Sequence, residues 1–212
     1  MEATKDLIHG FLVGASEDAA VYNKKRKNEY IVEIEQKSKE WLEFVQEAVL
    51  RFFGKNIKIR KTSKGFYRLT IYSKDFFTEI KKHRENSSWI LNESDEFQTG
   101  FLQGFYDAEG SIKKSRNHIT SSSNRKDLID VAEELLKKFN IRTGKQWKDK
   151  NNVITLPFYG KDNMIKFSRI VDFRHPEKRE RLARHLEKYH LQNPYNGVVA
   201  GKSSLPALFL EN

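Results

Sequence analysis

A carboxylate at the end of an apolar helix is the clearest chemical signal in this sequence. In the segment 101–110, FLQGFYDAEG, large apolar side chains recur at helical spacing and continue a stripe that starts at Phe97. Glu109 stands at the C-terminal end of this predicted helix, and Gly110 is typical of a helix stop. Because the helix dipole disfavours negative charge at a C-terminus, Glu109 needs a compensating group such as a cation. The alternative is an ordinary buried helix that happens to end in acidic residues.

This segment closely resembles the LAGLIDADG motif of homing endonucleases. The motif helix of that family ends in an acidic residue that binds a divalent metal, and Glu109 stands at that position. Monomeric members of the family carry the motif twice, and the segment 7–16, LIHGFLVGAS, is a second copy. Aligning Gly10 with Gly104 places Ala15 on Glu109. The metal-binding acid is therefore missing from the first copy.

The resemblance implies a metal-dependent DNA endonuclease. Phosphodiester hydrolysis needs an activated water, a neutralised phosphate and a stabilised leaving oxygen, and metal ions supply all three. The implied ion is Mg²⁺, which prefers oxygen ligands, and Mn²⁺ or Ca²⁺ could substitute for binding. The implied ligands are Glu109 and the Ala108 carbonyl at one motif, and the Gly14 carbonyl at the other, where Ala15 has no side-chain oxygen. We therefore expect cleavage to be impaired or absent.

A Gln-Lys pair follows the first predicted hairpin. Gln36 and Lys37 resemble the Gln-Lys pair of monomeric archaeal members of the family, whose lysine lies near the catalytic centre. The alternative for Lys37 is a solvated lysine at a helix entry. The equivalent place in the second half falls near residues 122–123 and has no lysine, so Lys113 and Lys114 are the candidates there.

Three further acids lie near the motif ends. Glu17 and Asp18 follow the first motif, and we interpret them as solvated turn residues pointing from the start of a strand. Asp107 matches a motif position that usually helps structure, and Val13 fills that position in the first copy.

The same order of elements surrounds both motifs, and this internal repeat is stronger evidence than either motif alone. Gly10 and Gly104 are 94 residues apart (104 − 10), and each half reads αββαββα. The motif helices should pack through Gly10, Gly14, Gly100 and Gly104. The sequence thus predicts an α+β fold of two pseudo-symmetric αββαββα halves whose antiparallel sheets form a DNA-binding saddle. The predicted strands are residues 18–26, 28–36, 56–62, 66–73, 111–114, 118–122, 142–148 and 153–159.

Four segments follow from this repeat. We predict an N-terminal half over residues 1–86, a linker over 87–95 and a C-terminal half over 96–175. A basic helix and C-terminal tail occupy 176–212, and the repeat carries no information about that segment.

Composition favours a nucleic acid as the partner. The chain has 212 residues, a net charge of +10 and a pI near 9.6, which point to a polyanion. No apolar run approaches the roughly 20 residues that cross a bilayer, and no signal peptide opens the sequence. We therefore expect no membrane partner and an intracellular protein, cytoplasmic in a prokaryote or archaeon. Zero cysteines exclude disulfides and thiolate metal sites.

Basic residues cluster on the predicted hairpins. In the second hairpin apolar and basic residues alternate, which predicts one apolar face and one basic face. A twisted antiparallel ribbon can enter the major groove, and lysine and arginine side chains hold phosphates. A solvated strand face is the alternative for any single charge. The candidate DNA-binding residues are Lys24, Lys25, Arg26, Lys58, Arg60, Arg68, Lys113, Lys114, Arg116 and Lys148.

The sequence thus predicts a monomer that binds a long, pseudo-palindromic DNA duplex. Two explanations of Ala15 remain: an aspartate changed to trap an uncut complex, which the otherwise intact motif favours, or a natural loss of cleavage. The alternative function is a non-cleaving nucleic-acid binder on the same scaffold, either an intron RNA maturase or a DNA-binding regulator.

Overall fold

One order of elements occurs twice in the chain. The computed structural model describes residues 3–112 and 118–191. The first half comprises α1 (Lys5–Ala15), β1 (Ala20–Lys24), β2 (Glu29–Gln36), α2 (Lys39–Phe53), β3 (Arg60–Lys61), β4 (Tyr67–Tyr72) and α3 (Lys74–Glu85). The second half comprises α4 (Asp95–Glu109), β5 (Gly110–Ile112), β6 (His118–Ser123), α5 (Lys126–Lys138), β7 (Trp147–Lys148), β8 (Ile154–Tyr159) and α6 (Lys161–Ile170), and α7 (Pro176–Leu191) follows it.

Each half contains one four-stranded antiparallel sheet. The strand orders are β1-β2-β4-β3 and β5-β6-β8-β7, so equivalent strands occupy equivalent places. The predicted α+β fold with two pseudo-symmetric αββαββα halves is therefore confirmed. Within the described ranges, every helix is too short or too polar to cross a membrane. The candidate residues Lys113, Lys114 and Arg116, and residues 192–212 of the predicted tail, lie outside the described residues.

Local signals in the sequence set the helix boundaries. A serine or threonine side chain accepts the N–H of the third helical residue and so satisfies one of the free donors at a helix start. The residues that cap helices in this way are Thr4, Ser38, Ser73 and Ser94. Gly54 ends α2 at φ +66°, a left-handed conformation that glycine adopts at little cost.

The edge strands are shorter than the sequence predicts. Strands were expected over 56–62 and 142–148, yet β3 and β7 have two residues each. Both segments also contact the neighbouring helices. Gln46 on α2 donates to the Ile57 carbonyl, and Thr143 and Gln146 bond to carboxylates on α5.

The two motif helices, α1 and α4, cross at the centre of the molecule with almost no space between their backbones. A Cβ added to Gly10 would stand 2.0 Å from the Phe97 carbonyl oxygen, and one added to Gly14 would stand 2.2 Å from that of Phe101. Gly100 and Gly104 meet the α1 backbone at the same 2.0 and 2.2 Å. The predicted packing through all four glycines is confirmed. The apolar side chains around this crossing form one core shared by both halves.

Residues of α1 and α4 that occupy equivalent places in the crossing differ in number by an amount other than the 94 of the motif alignment. Gly10 and Gly100 meet equivalent atoms of the opposite helix, and so do Gly14 and Gly104. The contact offset is therefore 90 residues (100 − 10), and the predicted offset of 94 is wrong for this packing. As a result Ala15 lies at the level of Phe105, one helical turn before Glu109.

Gly14→Ala should destabilise the fold strongly, because its methyl group would overlap the backbone of α4. We expect a loss of about 3 kcal/mol or more in the free energy of unfolding, measured by urea denaturation. Gly54→Ala makes the same chemical change in open space at a positive φ, and should cost about 1–2 kcal/mol. Equal losses in the two variants would contradict the close backbone contact.

Candidate functional site

Glu109 and Asp18 bring two carboxyl groups together at the ends of the motif helices. Glu109 is the last residue of α4, and Asp18 lies in the turn that follows α1. Burial, together with the hydrogen-bonding contact and negative charge of Asp18, raises the pKa of Glu109 to about 8. The Oε1 atom of Glu109 is buried without a hydrogen-bond partner. Asp18 is exposed in this turn, as the interpretation of a solvated turn residue expects, and its carboxyl group also meets Glu109.

The sequence carries one signal for this juxtaposition. Residues 10–14, GFLVG, and residues 100–104, GFLQG, match at an offset of 90, which is the offset of the helix contact. Extended along the chain, the offset of 90 aligns Asp18 with Ala108 and Ala19 with Glu109. The longer LAGLIDADG alignment, at an offset of 94, hides this match.

Lys178 on α7 holds the last turn of α4. Its ammonium donates to the backbone carbonyls of Asp107 at 2.5 Å, Tyr106 at 3.2 Å and Ala108 at 3.4 Å. Burial lowers the pKa of Lys178 to about 8, while the carboxyl groups of Asp107 and Glu109 oppose that shift. The lysine therefore supplies a positive charge at the helix end where the dipole is negative. Sequence reasoning identified α7 only as a basic helix and missed this contact.

Asp107 is a structural acid that joins three segments. Its buried carboxylate accepts hydrogen bonds from Trp41 Nε1 on α2 at 3.0 Å and from the backbone N–H groups of Arg174 at 2.9 Å and His175 at 3.0 Å. Burial raises the pKa of Asp107 to about 6, and these hydrogen bonds act in the opposite direction. These contacts agree with the structural role that the motif position implies.

Glu17 points into a buried polar network, and its negative charge also raises the pKa of Glu109. Its carboxylate contacts His83 Nε2 at 3.0 Å and Arg125 Nη1 at 3.2 Å, and its side chain is 7% exposed. Arg125 also bonds Asp127 at 2.7 Å and the His83 carbonyl at 2.6 Å. The expectation of a solvated Glu17 is wrong, because the imidazole of His83 on α3 and the guanidinium of Arg125 at the start of α5 both contact its carboxylate.

The donor set at the motif ends does not fit a pair of divalent metals. Ala15, 3% exposed, offers no side-chain oxygen, and Gly14 is buried against α4. The Ala108 carbonyl faces the Lys178 ammonium. Across residues 3–112 and 118–191, no three histidine, cysteine, aspartate or glutamate side chains group as metal ligands. The orphaned Glu109 oxygen and the adjacent Asp18 are the acidic donors at this place.

Gln36 is the last residue of β2, and Lys37 follows it. The Gln36 side-chain oxygen accepts the backbone N–H of Lys37 at 2.8 Å. The exposed Lys37 ammonium lies 5.5 Å from the centre of the Phe66 ring, a cation–π contact within the first half. The catalytic role of this pair stays a prediction.

Candidate DNA-binding residues of the first half lie at the hairpin tip and sheet edge. Lys25 and Arg26 are exposed in a 3-10 turn, and Lys24 lies 3.8 Å from Glu29. Lys58 and Arg60 are exposed beside β4. Their proposed contacts with DNA stay predictions.

The open faces of the two sheets, which point away from the helices, are not uniformly basic. In the first sheet Arg68 lies on the open face, 3.2 Å from Glu33 and 2.7 Å from Glu35, so its charge is compensated. The open face of the second sheet carries hydroxyl and aromatic side chains, with Trp147 and Tyr159 about half exposed. Lys148 pairs with the core residue Ile154 and so extends from the other face of its edge strand. The predicted basic face of the second hairpin is present, because Arg60 pairs with Arg68 and shares its open face, while Leu69 and Ile71 are buried. The adjacent strand supplies acids, so the open face as a whole is mixed in charge.

A family profile described as "LAGLIDADG-like domain" matches the chain twice, over residues 17–83 and 96–172. Together these ranges span well over half of the chain. The second range contains α4 with Glu109, and the first begins directly after α1.

The chain is similar to archaeal and structurally characterised proteins of this kind. The homing endonuclease I-ApeI of Aeropyrum pernix is 26% identical over 188 residues, covering 81% of this chain and 84% of the relative. The fold matches a variant of the homing endonuclease I-DmoI with a TM-score of 0.65 at 22% identity, covering 79% of this chain and 91% of that one. I-DmoI in complex with DNA and Mn gives a TM-score of 0.63. The fold also matches full-length DUF199/WhiA from Thermatoga maritima with a TM-score of 0.61 at 15% identity, covering 88% of this chain and 61% of that one.

Glu109→Gln should change how stability depends on pH. A carboxyl group whose pKa is raised in the folded state stabilises the fold below its unfolded pKa, and that stabilisation is lost as pH rises towards about 8. From about pH 6 to about pH 7.5 in EDTA, the variant should therefore gain about 1 kcal/mol of stability relative to the wild type, after allowance for solvent screening. Urea denaturation at each pH measures the difference. Glu93→Gln, at an exposed position, should leave the pH dependence of the unfolding free energy unchanged. If Glu109→Gln showed the same pH dependence as the wild type, the buried environment beside an acid would be refuted.

Proposed function

Because the chain belongs to the LAGLIDADG-like domain family, we propose that it is a homing-endonuclease-type protein that binds double-stranded DNA and cleaves it poorly or not at all. The observation that carries this proposal is the crossing of two motif helices between two four-stranded sheets. Ala15 offers no carboxylate to the motif ends, where Asp18 is the acid of the first half that meets Glu109. The relatives support the DNA partner, since I-ApeI is a homing endonuclease and I-DmoI forms a complex with DNA and Mn.

The proposed target is a long, pseudo-palindromic duplex bound by one chain. Two pseudo-symmetric sheets on a single chain can contact two half-sites related by the same approximate symmetry. The exposed basic residues at the hairpin tip and sheet edge would hold phosphates, which fixes position without reading sequence. Trp147, Tyr159 and the hydroxyl groups of the second open face are suited to contacts with base edges.

The proposed cleavage centre contains Glu109, with Lys37 and Gln36 of the first half as candidate catalytic residues. A divalent metal, Mg²⁺ in the proposed reaction, would provide the hydrolytic chemistry. The residues at the motif ends fit it incompletely, because the first motif contributes no acid at Ala15. Impaired cleavage with retained binding follows, since the basic residues at the hairpin tip lie away from the motif ends.

A non-cleaving binder on the same scaffold is the second candidate function. The contact of the Lys178 ammonium with the α4 carbonyls favours this non-cleaving function, because a lysine at this place neutralises the helix end without supplying a metal ligand. Such a protein could act on intron RNA as a maturase or on DNA as a regulator. Gel shifts with intron-bearing RNA against a DNA duplex separate these two partners.

Ala15→Asp should convert the chain into a Mg²⁺-dependent nuclease. The substitution supplies the acid that the motif alignment lacks, and Glu109→Gln added to it should abolish cleavage again. The assay is double-strand cleavage of a duplex selected for tight binding from a randomised library, with Mg²⁺ or Mn²⁺. Because Ala15 is buried beside Gly104, thermal unfolding of each variant must accompany the assay.

Asp18→Asn provides the decisive control. If the wild-type chain cuts the selected duplex and Asp18→Asn abolishes cutting, Asp18 supplies the acid of the first motif and the assignment to Ala15 fails. If a folded Ala15→Asp variant binds tightly and stays inert, the non-cleaving function replaces the nuclease.

The hairpin tip should contribute to the salt dependence of DNA binding. The logarithm of the binding constant should fall linearly with the logarithm of salt concentration, by about 0.9 for each neutralised phosphate. Lys25→Ala should reduce this slope by up to about one unit. Lys126→Ala removes an exposed lysine that pairs with Asp130 on α5, and should leave the slope unchanged. An affinity independent of salt would exclude a nucleic-acid partner.

A further inference from the structure

Two buried acids occupy equivalent places at the ends of the motif helices. Glu17 and Asp107 are 90 residues apart (107 − 17), which is the offset of the helix crossing. The Glu17 side chain is 7% exposed, and Asp107 is fully buried. The contacts of each acid inside the protein therefore decide its role.

Glu17 joins the two halves of the chain. Its carboxylate contacts Arg125 Nη1 at 3.2 Å, and Arg125 stands at the start of α5 in the second half. The same carboxylate contacts His83 Nε2 at 3.0 Å, in the last turn of α3 in its own half. Arg125 Nη2 also donates to the Ser87 hydroxyl at 2.6 Å, in the segment that connects the halves. The first half, the connecting segment and the second half therefore meet at one guanidinium.

Asp107 makes the corresponding contacts in the opposite direction. Its carboxylate accepts Trp41 Nε1 at 3.0 Å, from the first turn of α2 in the first half. It also accepts the backbone N–H groups of Arg174 and His175, which follow α6 in its own half. Each acid thus binds the second helix of the opposite half and the chain at the end of its own half. We call Glu17–Arg125 and Asp107–Trp41 the two cross-half contacts.

The two cross-half contacts can fix the rotation of one half relative to the other. Equivalent places in a pseudo-symmetric pair lie on opposite sides of its axis, so the two contacts flank the helix crossing. The crossing sets the distance between the halves, whereas a contact on either side of it resists rotation. Breaking a buried ion pair is costly because it leaves an uncompensated charge. The Glu17–Arg125 contact therefore disfavours any arrangement of the halves that would separate its two partners.

We propose that Arg125 and Trp41 are positioning residues that fix the spacing of the two DNA half-sites, because they hold the two sheets in one relative orientation. This inference rests on the proposed DNA-binding function. If each sheet binds one half-site, a rigid pair of sheets admits one separation and one rotation of the half-sites. One inserted base pair moves the half-sites apart by about 3.4 Å and rotates them by roughly 35°.

Fluorescence anisotropy with two labelled duplexes measures this dependence on spacing. One is the duplex selected for tight binding, and the other carries one additional base pair at the centre of its footprint. The wild type should bind the lengthened duplex at least about tenfold more weakly. Arg125→Met should reduce this ratio, and so should Trp41→Phe, which keeps an aromatic ring but removes the donor to Asp107. Arg51→Met breaks an ion pair with Glu47 inside α2 and should keep the wild-type ratio.

The ratio of the two affinities separates positioning from a general loss of stability. A variant that is only less stable would lose affinity for both duplexes by the same factor. A wild-type ratio in a folded Arg125→Met or Trp41→Phe variant would therefore overturn the proposal. A wild type that binds both duplexes equally well would overturn it too.

Urea denaturation tests the Glu17–Arg125 contact without DNA. Glu17→Gln and Arg125→Met should each raise the equilibrium constant for unfolding by about tenfold or more. In the double variant the increase should be at least about fivefold smaller than the product of the single effects. The same cycle on Glu47 and Arg51, which are partly exposed on one helix, should show a coupling of about twofold.

Independent effects of Glu17→Gln and Arg125→Met would refute the cross-half contact. If the wild type binds no duplex at all, the proposed function fails, while the unfolding data still decide whether Glu17 and Arg125 join the halves.

Discussion

The close approach of α1 and α4 is the constraint on which the rest of the structure depends. Four glycines let the two backbones meet at distances that leave no room for a Cβ atom. Because both halves attach to this crossing, it sets the relation of the two sheets and brings the two helix ends to one place. The contact is between backbones, so small side-chain movements cannot relieve an added methyl group. The symmetry of the fold therefore begins at Gly10, Gly14, Gly100 and Gly104.

The charges at the end of this crossing are compensated from distant parts of the chain. Asp107 receives donors from α2 and from the segment before α7, and Lys178 binds the carbonyls beside it. The Glu17 carboxylate contacts His83 and Arg125. In contrast, the Oε1 atom of Glu109 is buried without a hydrogen-bond partner, and the Glu109 carboxyl group meets another acid, Asp18. Glu109 is consequently the group on which an added cation, or its absence, should act most strongly.

Uncompensated positive charge lies away from this centre. Lys25 and Arg26 are exposed at a hairpin tip, whereas Arg68 on the open sheet face is paired with two glutamates. The second sheet presents neutral hydroxyl and aromatic groups. In the proposed complex, the exposed basic residues at the periphery would contact phosphates, and the sheet faces would contact bases. DNA affinity and metal chemistry would then depend on different residues.

The sequence alone determined the repeat, the αββαββα halves and the family, because hydrophobic periodicity, turn residues and motif spacing are local. It did not determine the lengths of β3 and β7, whose flanking segments contact the neighbouring helices. Nor did it determine the 90-residue offset of the helix crossing, the meeting of Asp18 with Glu109, or the place of Lys178. Those features arise from contacts between residues some 70 to 90 positions apart in sequence. The packing of α1, α4 and α7 decides such contacts, although the matching segments 10–14 and 100–104 already contain the 90-residue offset.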